Sequence, residues 1–193
     1  MTENNAAILR QAEKFSDLIE IRIDLIGKNW ENTAKKCSLP WIACDRKKEI
    51  DIEKACGLGA SMIDIDMGKS RMASKIKNKG TKCIISYHNY MSTPPLNELK
   101  QVCRKQIELG ADICKIVTMA EKAEDNLVLL ELVKEFKKNK IVGFCMGPLG
   151  IVSRILSPLA GGAFTYASAK SGKESAPGQI PAEKLRKIYE LVK

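Results

Sequence analysis

Apolar and polar positions along the chain keep switching between two periods. Asp17–Asp24 alternates with a period of two, with Ile19, Ile21 and Ile23 on one face and Leu18, Glu20, Arg22 and Asp24 on the other. Further strand-like runs lie at Trp41–Cys44 after Pro40, Ser61–Met67, Lys82–His88, Ala111–Ala120, Ile141–Met146 and Ala163–Tyr166. Helical spacing fills the intervals. It covers residues 4–14, 29–36, 49–58, 70–78, 96–109 with Gly110 as the stop, 123–138 with Leu127, Leu130 and Val133 in step, 150–158 and 181–192. The reading gives seven strands and eight helices.

Regular strand–helix alternation implies a parallel sheet covered by helices. The polar strand positions narrow this further. Glu20 and Arg22, Asp64 and Asp66, Ser86 and His88, and Lys115 all fall on one alternating face, towards the C-terminal ends of their strands. A (β/α)8 TIM-type barrel collects such residues at its mouth, where its active sites lie. The expected architecture is one barrel domain over residues 1–193, with no linker-like stretch dividing it. One count departs from eight-fold closure. The chain opens on a helix, so the barrel is expected to lack its first strand here, or to have a gap that something else fills.

Composition changes the picture in two places. Seven scattered cysteines, with no CxxC pair and several inside apolar runs, argue for a reducing, cytoplasmic setting and against a zinc site. The formal charge of +9 is spread along helix-like segments and aromatics make up only 5%. Nucleic-acid binders concentrate their basic residues and add stacking aromatics, so no nucleic-acid partner is expected. No apolar run approaches the roughly 18–20 residues of a membrane span, and no membrane partner is expected.

Candidate chemistry centres on Lys115, set in the apolar run Ala111–Ala120. Burial disfavours an ammonium, and a neutral amine is a nucleophile towards carbonyls, so this position fits a Schiff-base lysine. A lysine paired with a carboxylate, or at the strand's wet end, is the alternative. His88 is the only histidine, and imidazole titrates near neutrality.

Five stretches, in order over about residues 17–181, then make a comparison specific. They are Glu20–Asp24, Ser86–Tyr90 with Thr93–Pro94, Lys115–Ala120, Met146–Gly147 with Ser153–Arg154, and Ser175–Gln179. In these the chain resembles the type I 3-dehydroquinate dehydratases, the Schiff-base class of that shikimate-pathway enzyme. The resemblance implies that Lys115 forms an imine with 3-dehydroquinate and that His88 transfers protons on the way to 3-dehydroshikimate. It implies substrate contacts from Glu20, Arg22, Arg154, Ser175 and Gln179. The family's strand-four carboxylate, usually glutamate, matches Asp66. Its strand-three arginine, commonly followed by a Gly-Gly pair, lies nearest to Arg46, which has no such glycines after it. No metal or other cofactor is expected, because an iminium supplies the electron withdrawal of a Lewis acid. A homodimer is expected, as dimers are common in that family. Another lysine-dependent barrel, such as a class I aldolase, is the competing reading.

Overall fold

The computed structural model describes residues 1–192. Six strands run parallel in chain order: β1 (Ile19–Arg22), β2 (Trp41–Cys44), β3 (Met62–Asp66), β4 (Lys82–Asn89), β5 (Ile113–Met119) and β6 (Ile141–Met146). The helices are α1 (Ala6–Phe15), α2 (Ile23–Ile26), α3 (Trp30–Lys36), α4 (Ile52–Gly57), α5 (Ala73–Asn78), α6 (Leu96–Glu108), α7 (Asp125–Phe136), α8 (Ile151–Leu156) and α9 (Ala182–Leu191). None is long and apolar enough to cross a membrane.

The period of two sorts each strand between two environments. Ile19, Ile21, Trp41, Ala43, Ile63, Ile65, Cys83 and Ile85 face outward into one apolar cluster with α1, α3, α4 and α5. Cys114, Ile116, Ile141 and Cys145 do the same against α6 and α7. The opposite positions, among them Ile42, Ile84, Ile113, Val117, Val142 and Phe144, fill a smaller interior cluster. That interior floor lies beneath the polar strand ends. Outer and inner positions are both buried, which is how a curved parallel sheet with helices outside holds together.

The sheet has the barrel architecture with fewer than eight strands. One expectation is corrected: Ala163–Tyr166 forms no strand. Only its first amide joins the sheet, Ala163 N–H donating to Ile141 O at 2.7 Å. Thereafter Thr165 Oγ1 donates to Arg154 O at 2.8 Å, and Tyr166 O accepts from Arg154 Nη1 at 3.3 Å. Packing on α8 replaces a ladder.

The sheet wall is open between β1 and this segment. Met1 sits on the free edge of β1, its amine donating to Glu20 O and its carbonyl accepting from Arg22 N–H at 2.9 Å. That is one residue's worth of parallel ladder. Beyond it lies a cavity of about 340 Å³ lined by Leu18, Ile19, Glu20 and residues 163–169. The helix layer outside is continuous, because α1 packs on α9 and Arg186 Nη2 donates to Phe15 O at 3.3 Å. The sheet layer alone is interrupted.

Candidate active site

Strand register places the polar residues before any loop is considered. Parallel pairing sets Arg22 beside Cys44, Cys44 beside Asp64, Asp66 beside Ser86, and Ser86 beside Lys115. Partners in register share a face, so these side chains all enter the interior. Lys115 is buried, and Asp64 is fully so. Lys115 Nζ donates to Asp64 Oδ2 at 2.8 Å and lies 3.5 Å from Glu20 Oε2. The lysine is therefore paired, and it also faces the site.

Arg46, just past β2, ties three strands together. It donates to Asp64 Oδ2 at 2.6 Å, Ser86 Oγ at 2.6 Å and Asp66 Oδ2 at 3.3 Å. Burial alone would raise the Asp64 carboxyl pKa, but Arg46 and then Lys115 outweigh it and hold the group well below the usual carboxylate range. Asp64 stays ionised, and two cations share it.

His88, at the end of β4, is held neutral. Burial, reinforced by Arg46 and Lys115, pushes its pKa down to about 3. Its Nδ1 lies 4.0 Å from Asp66 Oδ1 and has no hydrogen-bond partner among the described residues. Its ring stacks on Tyr90 with centroids 5.7 Å apart. Asn89 Oδ1 shapes the following loop by accepting from Met91 and Ser92 N–H, and Thr93 Oγ1 pins that loop by donating to Met119 O at 2.8 Å.

Arg154 comes from α8 and is buried against the Phe144 ring, its guanidinium carbon 4.2 Å from the centroid. Its Nε and Nη2 lack partners among the described residues, and burial lowers its pKa to about 10. A buried guanidinium with free N–H groups is costly unless an anion meets it. Ser175 and Gln179 close the far side, with Ser175 N–H donating to Gln179 Oε1 at 2.7 Å. Gly147 N–H donates to Pro177 O at 3.2 Å, fastening this loop to the end of β6.

Eight of the nine residues singled out in the sequence, Glu20, Arg22, Arg46, His88, Lys115, Arg154, Ser175 and Gln179, line one pocket of about 160 Å³. Arg22 is gripped by Asp24 at 2.9 and 2.8 Å, which keeps its guanidinium at the rim. Asp66 does not line the pocket; its carboxylate is partly exposed and touches Arg46. Sequence reasoning missed Asp64 as a site residue, although it shares the alternation with Asp66. Only the register shows that Asp64, one step further down the strand, is the residue that reaches the lysine. Tyr166 carries no such signal in the sequence, because it meets Lys115 through its ring and not through a charged group. Glu20, Cys44 and Asp64 bring one donor atom each within 4.8 Å of one another. Arg46 and Lys115 already balance the two carboxylates, which leaves a cation little net attraction there.

Comparison with known proteins meets this geometry. The family model described as type I 3-dehydroquinase matches residues 1–193. The 3-dehydroquinate dehydratase of Dehalococcoides mccartyi strain 195 is 39% identical over 188 residues, covering 90% of this chain and 85% of its own. Among solved structures, the 3-dehydroquinate dehydratase of Aquifex aeolicus superposes with a TM-score of 0.82 at 27% identity, over 98% of this chain and 95% of that one. The type I enzyme of Clostridium difficile, solved with covalently modified comenic acid, gives 0.79 at 26% identity, over 100% and 89%.

Proposed function

We infer that this chain, which belongs to the type I 3-dehydroquinase family, eliminates water from 3-dehydroquinate through an imine on Lys115, with His88 moving the protons. The observation that carries this reading is the meeting, in one pocket, of a buried amine, a neutral imidazole and a buried guanidinium with free donors.

The chemistry follows from those groups. Lys115 releases a proton to solvent and attacks the substrate ketone as the neutral amine; a proton is taken up again as water leaves, and a cationic C=N bond results. That cation withdraws electrons from the neighbouring carbon, whose proton His88 can take because its imidazole is neutral at pH 7. The electron pair left behind neutralises the iminium to an enamine, which expels the β-hydroxyl as water when the imidazolium returns the proton to it, and the iminium is restored. Water then hydrolyses the iminium, freeing Lys115 and the 3-dehydroshikimate product. Asp64 pairs with the ammonium first and the iminium afterwards, and Arg46 remains its counter-charge while the lysine nitrogen is neutral. Arg154 suits the substrate carboxylate, and Glu20, Arg22, Arg46, Ser175 and Gln179 are proposed to meet its remaining polar groups. The covalent modification of comenic acid in the Clostridium difficile relative supports covalent chemistry in a site of this family.

Borohydride reduction in the presence of 3-dehydroquinate tests the reading. Mass spectrometry should find the substrate skeleton on Lys115 and none on Lys115→Ala. Absence of an adduct on the wild type, or an adduct formed only with aldolase-type carbonyl substrates, would overturn it.

A homodimer belongs to the same reading. Leu149, Val152, Leu156 and Leu159 expose apolar side chains on and beside α8, next to Leu127 of α7. We propose that a second copy covers this stripe. Sedimentation should show a dimer that Val152→Glu shifts towards monomer, and an unchanged sedimentation coefficient would dismiss this face.

A further inference from the structure

We propose that Tyr166 is a positioning residue for the reaction, its ring face holding the nitrogen of Lys115 in place while that nitrogen passes from ammonium to iminium. The proposal rests on the Lys115 reading above. Nζ lies 4.0 Å from the Tyr166 ring centroid. Asp64 and Glu20 lie 2.8 and 3.5 Å from the same atom. The lysine nitrogen is thus held between carboxylate oxygens and an aromatic face.

The two kinds of partner respond differently to bond formation. When the ammonium becomes C=N, two of its N–H bonds are replaced by bonds to carbon, and any acceptor paired with a lost N–H loses its hydrogen bond. An aromatic face attracts positive charge through its quadrupole and needs no N–H. It therefore keeps its contact at every stage in which the nitrogen is cationic. It also offers no basic lone pair that would compete for the proton.

The fold holds the ring firmly for this purpose. Arg154 Nη1 donates to Tyr166 O, and Arg154 O accepts from Thr165 Oγ1, so the residue facing the proposed carboxylate site also fixes the segment carrying the ring. Phe144 and Phe164 pack on the ring at centroid distances of 6.0 and 5.7 Å, tilted by 53° and 55°. The hydroxyl is buried without a partner among the described residues. Burial, then Glu20 and Asp64, push its pKa well above 10, so it does not serve as a base. The ring is the working part.

Tyr166→Phe keeps the ring and Tyr166→Leu removes it. Measured with 3-dehydroquinate, Tyr166→Phe should stay within about threefold of wild-type kcat. Tyr166→Leu should lower kcat and the initial rate of borohydride-trapped adduct by about thirtyfold, the scale of a desolvated cation–π contact. KM should change less. If Tyr166→Leu melts early, Tyr166→Met carries the same comparison. Equal rates in wild type and the ring-free variant would overturn the proposal, as would a Phe variant as slow as the Leu variant. A wild type that forms no adduct would instead overturn the Lys115 reading, and Tyr166 with it.

Discussion

Asp64 and Asp66 lie two residues apart on one strand face, yet their surroundings differ in every respect that matters to a carboxylate. Asp64 is fully buried between Lys115 and Arg46, whereas Asp66 is partly exposed and reaches only Arg46 and the neighbourhood of His88. Asp64→Asn leaves two buried cations without their shared counter-charge. It should cost about 3–5 kcal/mol of stability, the range for breaking a buried pair from one side, and most of the activity. Urea unfolding and turnover measure both. Asp66→Asn should leave the unfolding midpoint nearly unchanged. If Asp66 orients the imidazole, that substitution also lowers activity and moves the acidic limb of the pH–rate profile; an unmoved limb makes it a bystander. His88 carries a separate pH signature. Its folded pKa of about 3 lies below its ordinary value, so the unfolded chain takes up the proton first. Stability tied to this group is complete above about pH 6.5 and drains away as pH falls from there towards 3. Tm measured across that window should fall less steeply in His88→Gln than in the wild type. His88→Ala should still trap imine while losing roughly 10²–10⁴-fold in turnover, the usual worth of a general acid–base group.

At the scale of elements, six strands were readable because their two faces meet different neighbours, and a period of two survives even where both faces are buried. The single-face set of Glu20, Asp64, Ser86, His88 and Lys115 was readable for the same reason. Which of those residues touch was not, since contact depends on the strand-to-strand register. The seventh strand failed because Ala163–Tyr166 has strand composition and its hydrogen bonds go elsewhere. Phe164 and Tyr166 pack on the interior cluster as inward strand residues would, while hydrogen bonds to Arg154 stand where ladder bonds would be. The Ser175–Gln179 loop was legible through Pro177 and Gly178, and the structure supplies the reason for the glycine. Gly178 has φ +77°, and a Cβ there would collide with the Gly147 backbone carbonyl. Gly178→Ala should therefore lift the loop that carries Ser175 and Gln179. A rise in KM with a small change in Tm is the expected result, and unchanged kinetics would separate this loop from substrate binding.

At the scale of the molecule, the interrupted wall is the feature on which fold and function meet. Met1 already pairs with β1 in a parallel sense, so residues joined ahead of it would run beside Leu18 into the cavity between β1 and residues 163–169. The helices outside need no rearrangement, because α1 and α9 already pack across the gap. A strand of about six residues, the usual strand length, with apolar residues at alternate positions would find one edge in Leu18–Arg22 and face the segment that ends at Tyr166. It would pair amides that now face the cavity and displace water from the side of the pocket that holds Glu20 and Arg22. Excluding water strengthens every charge interaction there, those of Lys115 included. Adding such a strand ahead of Met1 should raise Tm by at least about 4 °C, which for a chain of this size corresponds to one or two kcal/mol. Turnover should rise with it, because Glu20 and Tyr166 both border the gap and both contact the lysine. Matched Tm and kcat for the two chains would show that Met1 and the continuous helix layer already close the wall well enough for catalysis. A gain in Tm without a gain in kcat would locate the gap's effect in stability and leave the lysine's surroundings as dry as they need to be.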